Sequence, residues 1–357
     1  MTDPLHDTGP KHDTGPKIVR STFSRLLVRS VIGLVMLTGL IAGSAWLLHA
    51  TSDPGNAYAN DPDAAERRQL IANVKTWSFE NTLPDPIANR SGLGDLAVID
   101  HGAIQHERRS GERKAMTALQ SKPNGSRRLI LGYLSLTEAE QRRSYWLPEW
   151  QATALSTRPS WLLEENPQRR GNWRVNIANT GWHATLFGSE DSLIDRMLAA
   201  GFDGVYLDSG SLLDKEHVLV QDANDRSETE WQLAELVSRI ATYARLQHPR
   251  FIIMLDDAET LINRTPVAST IDIAVKHDLL FGRHSTGRAN RTTDIEASVA
   301  SLKRVAEAKR PVFIVEHLAD AALAASARKR ITELGYVAAI SGVAKGTVNV
   351  ATPADVR

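Results

Sequence analysis

Eight short apolar runs, separated by stretches of helical character, constrain the fold of this chain more than any other feature of its sequence. They are Lys75–Phe79, Leu96–Asp100, Arg128–Leu134, Asp203–Leu207, Phe251–Leu255, Ile271–Val275, Val312–Val315 and Tyr336–Ile340. As a set they are continuous, mostly Val/Ile/Leu stretches and not strict alternations of apolar and polar residues, which is the pattern of parallel strands buried on both faces. Helix ends are readable between them. Ser189 can cap a helix through Leu193, Ile194, Met197 and Leu198 that stops at Gly201, and Ser227-x-x-Glu230 reads as a capping box opening a helix with Leu233, Leu236, Val237 and Ile240 on one face. Strands separated by helices predict an α/β fold, a (β/α)8 TIM barrel, with an open doubly wound sheet as the competing arrangement. A further apolar stretch, Trp173–Ile177, is assigned to a long loop before the fourth strand.

The 357 residues exceed the roughly 250 that such a barrel needs. Part of the excess is N-terminal. HDTGPK occurs twice in tandem, at His6–Lys11 and His12–Lys17, with no apolar residue to bury, and predicts a disordered cytoplasmic tail over 1–25. Residues 30–50 are apolar all round, about the 20 residues that span a bilayer core, and follow Lys17, Arg20, Arg25 and Arg29 with no acidic residue from 14 to 52. This predicts a transmembrane signal-anchor over 26–50, a linker over 51–73, and an exported barrel over 74–357, periplasmic or extracellular. Ala57-Tyr58-Ala59 has the small-x-small form of a cleavage site, so a secreted form cleaved after Ala59 is the alternative.

Lys+Arg and Asp+Glu balance at 42 each, which gives no field to attract nucleic acid. The chain has no cysteine, which excludes disulfides, thiolate nucleophiles and cysteine-bound metals. Chemistry in a β/α barrel sits at the C-terminal ends of the strands, and acidic residues gather there: Asp100, Glu138, Glu140, Asp208, Asp256 with Asp257, Asp278 and Glu316. Any one of these alone could be a helix cap or an ion-pair partner; their repetition at one rim predicts an acid-lined pocket. Converging carboxylates suit glycoside hydrolysis, with one carboxyl as general acid and another as nucleophile or base. An oxygen-ligated metal hydrolase is the weaker alternative, because no tight D-x-D or H-x-x-x-H cluster is present, and no cofactor motif is found. Trp146, Trp150, Trp161, Trp173 and Trp182 fit two roles, stacking on sugar faces or pinning the long loop to the barrel.

The runs GYLSLTEAEQRRSYW (Gly132–Trp146), LLEENP (Leu162–Pro167), MLAAGFDGVYLD (Met197–Asp208) and the closing PVFIVEH resemble glycoside hydrolase family 114, the endo-α-1,4-polygalactosaminidase group, from Trp77 to about Gly342. The resemblance implies a β/α barrel that hydrolyses galactosamine-containing exopolysaccharide without a metal. By position, Asp208 matches the family's catalytic aspartate, Asp100 and Glu140 match acidic pocket residues, and Tyr133 lies in the same motif. The chain departs from the pattern where the family has its second catalytic glutamate. That segment reads AVKHDLLFG, which puts His277 at the position with Asp278 beside it. Asn179 stands where the family tends to carry aspartate before its Trp, and Asp256-Asp257-Ala258 replaces its usual Asn-Gly. Successive strand residues face opposite ways, so Asp278 can replace the glutamate only if the strand end turns locally. His277 can otherwise serve as the acid.

The expectation is a membrane-anchored glycosidase with Asp208 and either Asp278 or His277 as catalytic groups. Asp100, Tyr133, Glu138, Glu140, Asn179, Trp182, Asp257 and Glu316 would bind a polysaccharide substrate. The alternative is a catalytically impaired carbohydrate-binding barrel in an exopolysaccharide system, which the histidine at 277 favours.

Overall fold

The computed structural model describes residues 61–341, apart from 81–86, 88–89, 105–108, 152–157, 168, 211–222, 257–258, 265–266, 286 and 308, together with 348–349. The tail and anchor expected over 1–50 lie outside the described residues. Among the described residues no helix is long and apolar enough to cross a membrane.

Eight parallel strands form the main sheet: β1 (Trp77–Glu80), β2 (Leu96–Asp100), β3 (Leu129–Ser135), β7 (Gly204–Asp208), β8 (Ile252–Asp256), β9 (Ile273–His277), β10 (Val312–His317) and β11 (Val337–Ser341). A two-residue strand, β12 (Val348–Asn349), pairs antiparallel with β1 and touches β11 at the other end of the series. The remaining strands, β4 (Glu138–Glu140), β5 (Leu162–Glu165) and β6 (Asn172–Val175), make a separate three-stranded antiparallel sheet in the order β4-β6-β5. The stretch assigned to a loop at Trp173–Ile177 is thus largely β6.

Spatial order along the main sheet follows chain order, without the reversal that defines a doubly wound sheet. The competing arrangement is therefore excluded. The sheet curls as in a TIM barrel. Alternate residues from all eight strands meet in one buried cluster, including Trp77, Leu96, Leu131, Tyr206, Met254, Val275, Phe313 and Ala339. The Trp77 and Phe313 rings, from β1 and β10, stack at 5.5 Å across the curl. Strand neighbours approach closely at Gly204, where a Cβ would overlap the Ile252 carbonyl oxygen, so no larger residue fits there.

Whereas α1 (Pro62–Ala72) packs against the inner cluster, residues of opposite parity bury against the helices α2 (Arg109–Gln120), α3 (Thr180–Leu186), α4 (Leu193–Ala200), α5 (Ala223–Gln247), α6 (Glu259–Ile262), α7 (Val267–Thr270), α8 (Thr292–Glu307) and α9 (Ala321–Glu333). Three sequence expectations change here. Residues 62–72, expected in a linker, form α1, whose fully buried Arg67 bonds Asp61, Asp272 and the Pro249 carbonyl and whose Ile71 enters the inner cluster. The cap of α4 is Ser192, not Ser189, although Gly201 does end that helix in the left-handed conformation at φ 91°. Ser227-x-x-Glu230 lies inside α5, because both side chains are engaged by Arg264 and not by the helix terminus.

Acidic residues at the N-terminal ends of the strands are structural. Asp95, Asp203 and Asp272 accept backbone N–H bonds from Thr76, Ile130 and Ile253 respectively, each joining neighbouring strands. Lys122, Arg127 and Arg245 neutralise them. Stability is thus built at one end of the sheet and the other end is left for chemistry.

Candidate active site

The two-residue period of a strand selects which terminal side chains reach the mouth. Continuing the inner series outward leads to Asp100 on β2, Tyr133 and Ser135 on β3, Asp208 on β7, Asp256 on β8, His277 on β9 and His317 on β10. Ser135 pairs in register with Asp208, and Asp208 with Asp256, so these three stand side by side.

Asp208 is the centre of this wall. Its Oδ2 accepts a short hydrogen bond from the Tyr133 hydroxyl, and its Oδ1 accepts one from the Gly210 N–H at 2.8 Å. Burial and the neighbouring Asp256 charge raise its pKa above the usual carboxylate range, against the lowering effect of Tyr133, Arg169 and the Gly210 N–H. Burial and the Asp208 charge push the Tyr133 phenol well up, so it remains a donor. On the other flank the His277 Nε2 lies 3.2 Å from Asp256 Oδ1 and 3.4 Å from the Tyr206 hydroxyl. The His277 Nδ1 lies 3.3 Å from His317 Nε2, with the two rings stacked.

A second layer of carboxylates is held by arginines. Arg143, itself buried, bonds both Asp100 and Glu140, and Arg142 engages the same two residues from a more exposed position. Burial raises the Glu140 pKa, opposed by Arg143. Next to Asp100, burial and the Arg143 charge hold His101 neutral, with its pKa lowered to about 3. Glu138 is tied by Asn166 at 2.6 Å, Asn172 at 2.7 Å and Arg169 at 3.3 Å, which secures the small sheet beside the mouth.

The expected site residues thus divide. Asp100, Tyr133, Glu140, Asp208 and His277 converge at the mouth. Asp278 does not: it turns at φ 53°, donates its N–H to the Val315 carbonyl, and sets its carboxylate beside Gly282 and near Glu316. Glu316 has the outward parity of β10; fully buried, it accepts the Leu280 and Phe281 N–H groups at 2.6 and 3.2 Å and so ties down the loop after β9. Burial, above all, raises its pKa to about 7. Asn179 caps α3 through Gly181 and bonds Ser160. Trp182 is fully buried with its indole N–H on the Leu136 carbonyl, leaving no face for a sugar. Together with Trp146, Trp150, Trp161 and Trp173 it forms a continuous buried series of edge-on and tilted ring contacts, with centroids 5.0 to 5.6 Å apart, that pins the loop. Asp257 lies outside the described residues. His317, Arg143 and Arg169 belong to the site without a motif that marks them; His317 follows from counting two residues on from the buried Val315.

A curled parallel sheet whose C-terminal mouth collects carboxylates is a TIM-barrel-like arrangement of the kind that glycoside hydrolysis can use. The model of glycoside-hydrolase family GH114 matches residues 88–351, and the chain belongs to that family. Among solved structures, the glycoside hydrolase domain of PelA from Pseudomonas aeruginosa is similar in fold, with a TM-score of 0.51 at 16% identity over 75% of this chain and 95% of that one. An uncharacterized protein of Deinococcus radiodurans is 31% identical over 59% of this chain and 63% of its own length, so the match spans a little under two thirds of that relative. An uncharacterized protein of Methanocaldococcus jannaschii is 25% identical over 72% of this chain and 70% of its own.

Proposed function

We propose that this chain is a membrane-anchored glycosidase that cleaves galactosamine-containing or related exopolysaccharide, with Asp208 as a catalytic carboxylate. The observation that carries this reading is the position of Asp208: inward at the mouth, hydrogen-bonded to Tyr133 and Gly210, beside a second inward carboxylate. Glycoside hydrolysis needs two such groups with their proton affinities driven apart. The partner comes from the β8–β9 wall, where His277 faces the mouth and Asp278 faces away. Asp100 and Glu140, held by Arg142 and Arg143, offer oxygen acceptors to sugar hydroxyls and to an ammonium group. In this reading the N-terminal segment at 26–50 anchors an exported domain to the membrane, on the strength of its apolar sequence and the basic residues before it.

The test is reducing-end release from an α-1,4-linked galactosamine polymer by the full-length protein. Wild type is expected to release ends, and Asp208→Asn to lose that activity by about 10³-fold. Full activity in Asp208→Asn would remove that residue from the mechanism. One feature favours a second reading, a carbohydrate-binding barrel without catalysis: a histidine occupies 277, where the family resemblance expects glutamate. It predicts saturable polymer binding with no product from wild type.

A further inference from the structure

We propose that Asp256 is the second catalytic carboxylate of this site, working opposite Asp208, and that His277 is its positioning residue; the assignment rests on the glycosidase reading above.

Asp208 and Asp256 are register partners on adjacent parallel strands, and both follow the inner parity of their strands. Neighbouring strands lie about 4.8 Å apart. The two side chains therefore leave the sheet side by side, a backbone spacing that suits the roughly 5–5.5 Å carboxyl separation of a retaining pair better than the roughly 6.5–9.5 Å of an inverting one. Asp256 Oδ1 is buried yet makes no well-formed hydrogen bond among the described residues; its contact is the His277 Nε2 at 3.2 Å. A buried carboxylate oxygen at the mouth that faces an imidazole, with no arginine or amide donor on it among the described residues, keeps a lone pair for a reacting carbon. By contrast the carboxyls of Asp100, Glu138 and Glu140 are occupied by arginine or asparagine donors. His277 is braced in turn by Tyr206 and His317, which fixes the face it offers to Asp256. The Asp256 charge also raises Asp208, which favours Asp208 as the proton donor.

In the first step the Asp208 carboxyl gives its proton to the glycosidic oxygen while an Asp256 oxygen bonds to C1. The C1–O bond breaks, and its electron pair leaves with the departing sugar as a hydroxyl. In the second step a water gives one proton to the Asp208 carboxylate and bonds through oxygen to C1. The C1–Asp256 ester bond breaks, returning its pair to Asp256. The sum is one glycoside and one water giving two sugars, with both carboxyls restored and the anomeric configuration retained.

The experiment uses full-length protein, the α-1,4-linked galactosamine polymer and sodium azide. Asp256→Asn is expected to lose about 10³-fold in kcat while keeping the wild-type far-ultraviolet spectrum and melting curve. Asp256→Ala with azide is expected to yield a glycosyl azide of inverted configuration, and Asp208→Ala one of retained configuration. Asp278→Asn keeps wild-type kcat. His277→Gln, whose amide can still hold Asp256, keeps more kcat than His277→Ala, with KM unchanged in both. Active wild type with Asp256→Asn within tenfold of it, or a retained-configuration azide from Asp256→Ala, overturns this assignment alone. Wild type that releases nothing overturns the glycosidase reading and this assignment with it.

Discussion

Glu316 should make the stability of this protein depend on pH in a calculable way. Its carboxyl is fully buried, and burial raises its pKa from 4.5 to about 7 despite the two backbone N–H groups it accepts and the nearby Lys276. In the unfolded chain the group returns to its ordinary value. Below pH 4.5 it is protonated in both states and its contribution is at its greatest. Between pH 4.5 and 7 the unfolded chain ionises while the folded chain holds its proton, so unfolding becomes progressively easier; above pH 7 the loss is complete. A shift of that size, at about 1.36 kcal/mol per unit, makes the loss about 3 kcal/mol. Glu316→Gln cannot ionise. Measured against the protonated carboxyl, setting its NH2 group against one of the two backbone N–H donors costs about 1–3 kcal/mol, and this cost does not change with pH. The assay is equilibrium urea unfolding of wild type and Glu316→Gln at pH 4.5, 5.5, 6.5 and 7.5. Other titrating groups are common to both proteins and cancel in the difference. The wild-type advantage should shrink by about 3 kcal/mol across the series. Parallel curves, with a constant difference, would refute the reasoning and show that Glu316 is ionised in the folded chain.

Two further outcomes follow from the site. Tyr133→Phe removes the donor to Asp208 Oδ2; kcat should fall about 10-fold or more, and the limb of the pH–rate profile set by Asp208 should move to higher pH, since the lost bond lowers that pKa. Arg143→Met leaves Asp100 and Glu140 without their buried partner, and chemical denaturation should show a loss of about 3–5 kcal/mol.

Most of the main strands are legible in the sequence because a strand covered on both faces is apolar along most of its length, which leaves a nearly unbroken run. The small sheet is not. β4 and β5 read EAE and LLEE, and their acids hide the strands: Glu138 is satisfied only from further along the chain, by Asn166, Arg169 and Asn172, while Glu140 and Glu164 pair with arginines of the same segment. α1 is hidden for a similar reason: its polar sequence buries Arg67 through Asp272, two hundred residues on. At the site, an acid at a strand end is readable in the sequence, and parity along the strand sets its direction. Counting in twos from Val315 sends Glu316 outward and His317 inward; from Val275 it sends His277 inward. The tryptophans were legible as a group, but only the packing decides that they hold the loop together.

The most direct measurement is a structure of full-length Asp208→Asn bound to a galactosamine oligomer. The account predicts a sugar seated at the C-terminal mouth, its glycosidic oxygen within hydrogen-bond reach of the substituted amide at position 208 and its C1 about 3–3.5 Å from an Asp256 oxygen. An oligomer bound elsewhere, or one whose C1 faces away from both strands, would contradict it.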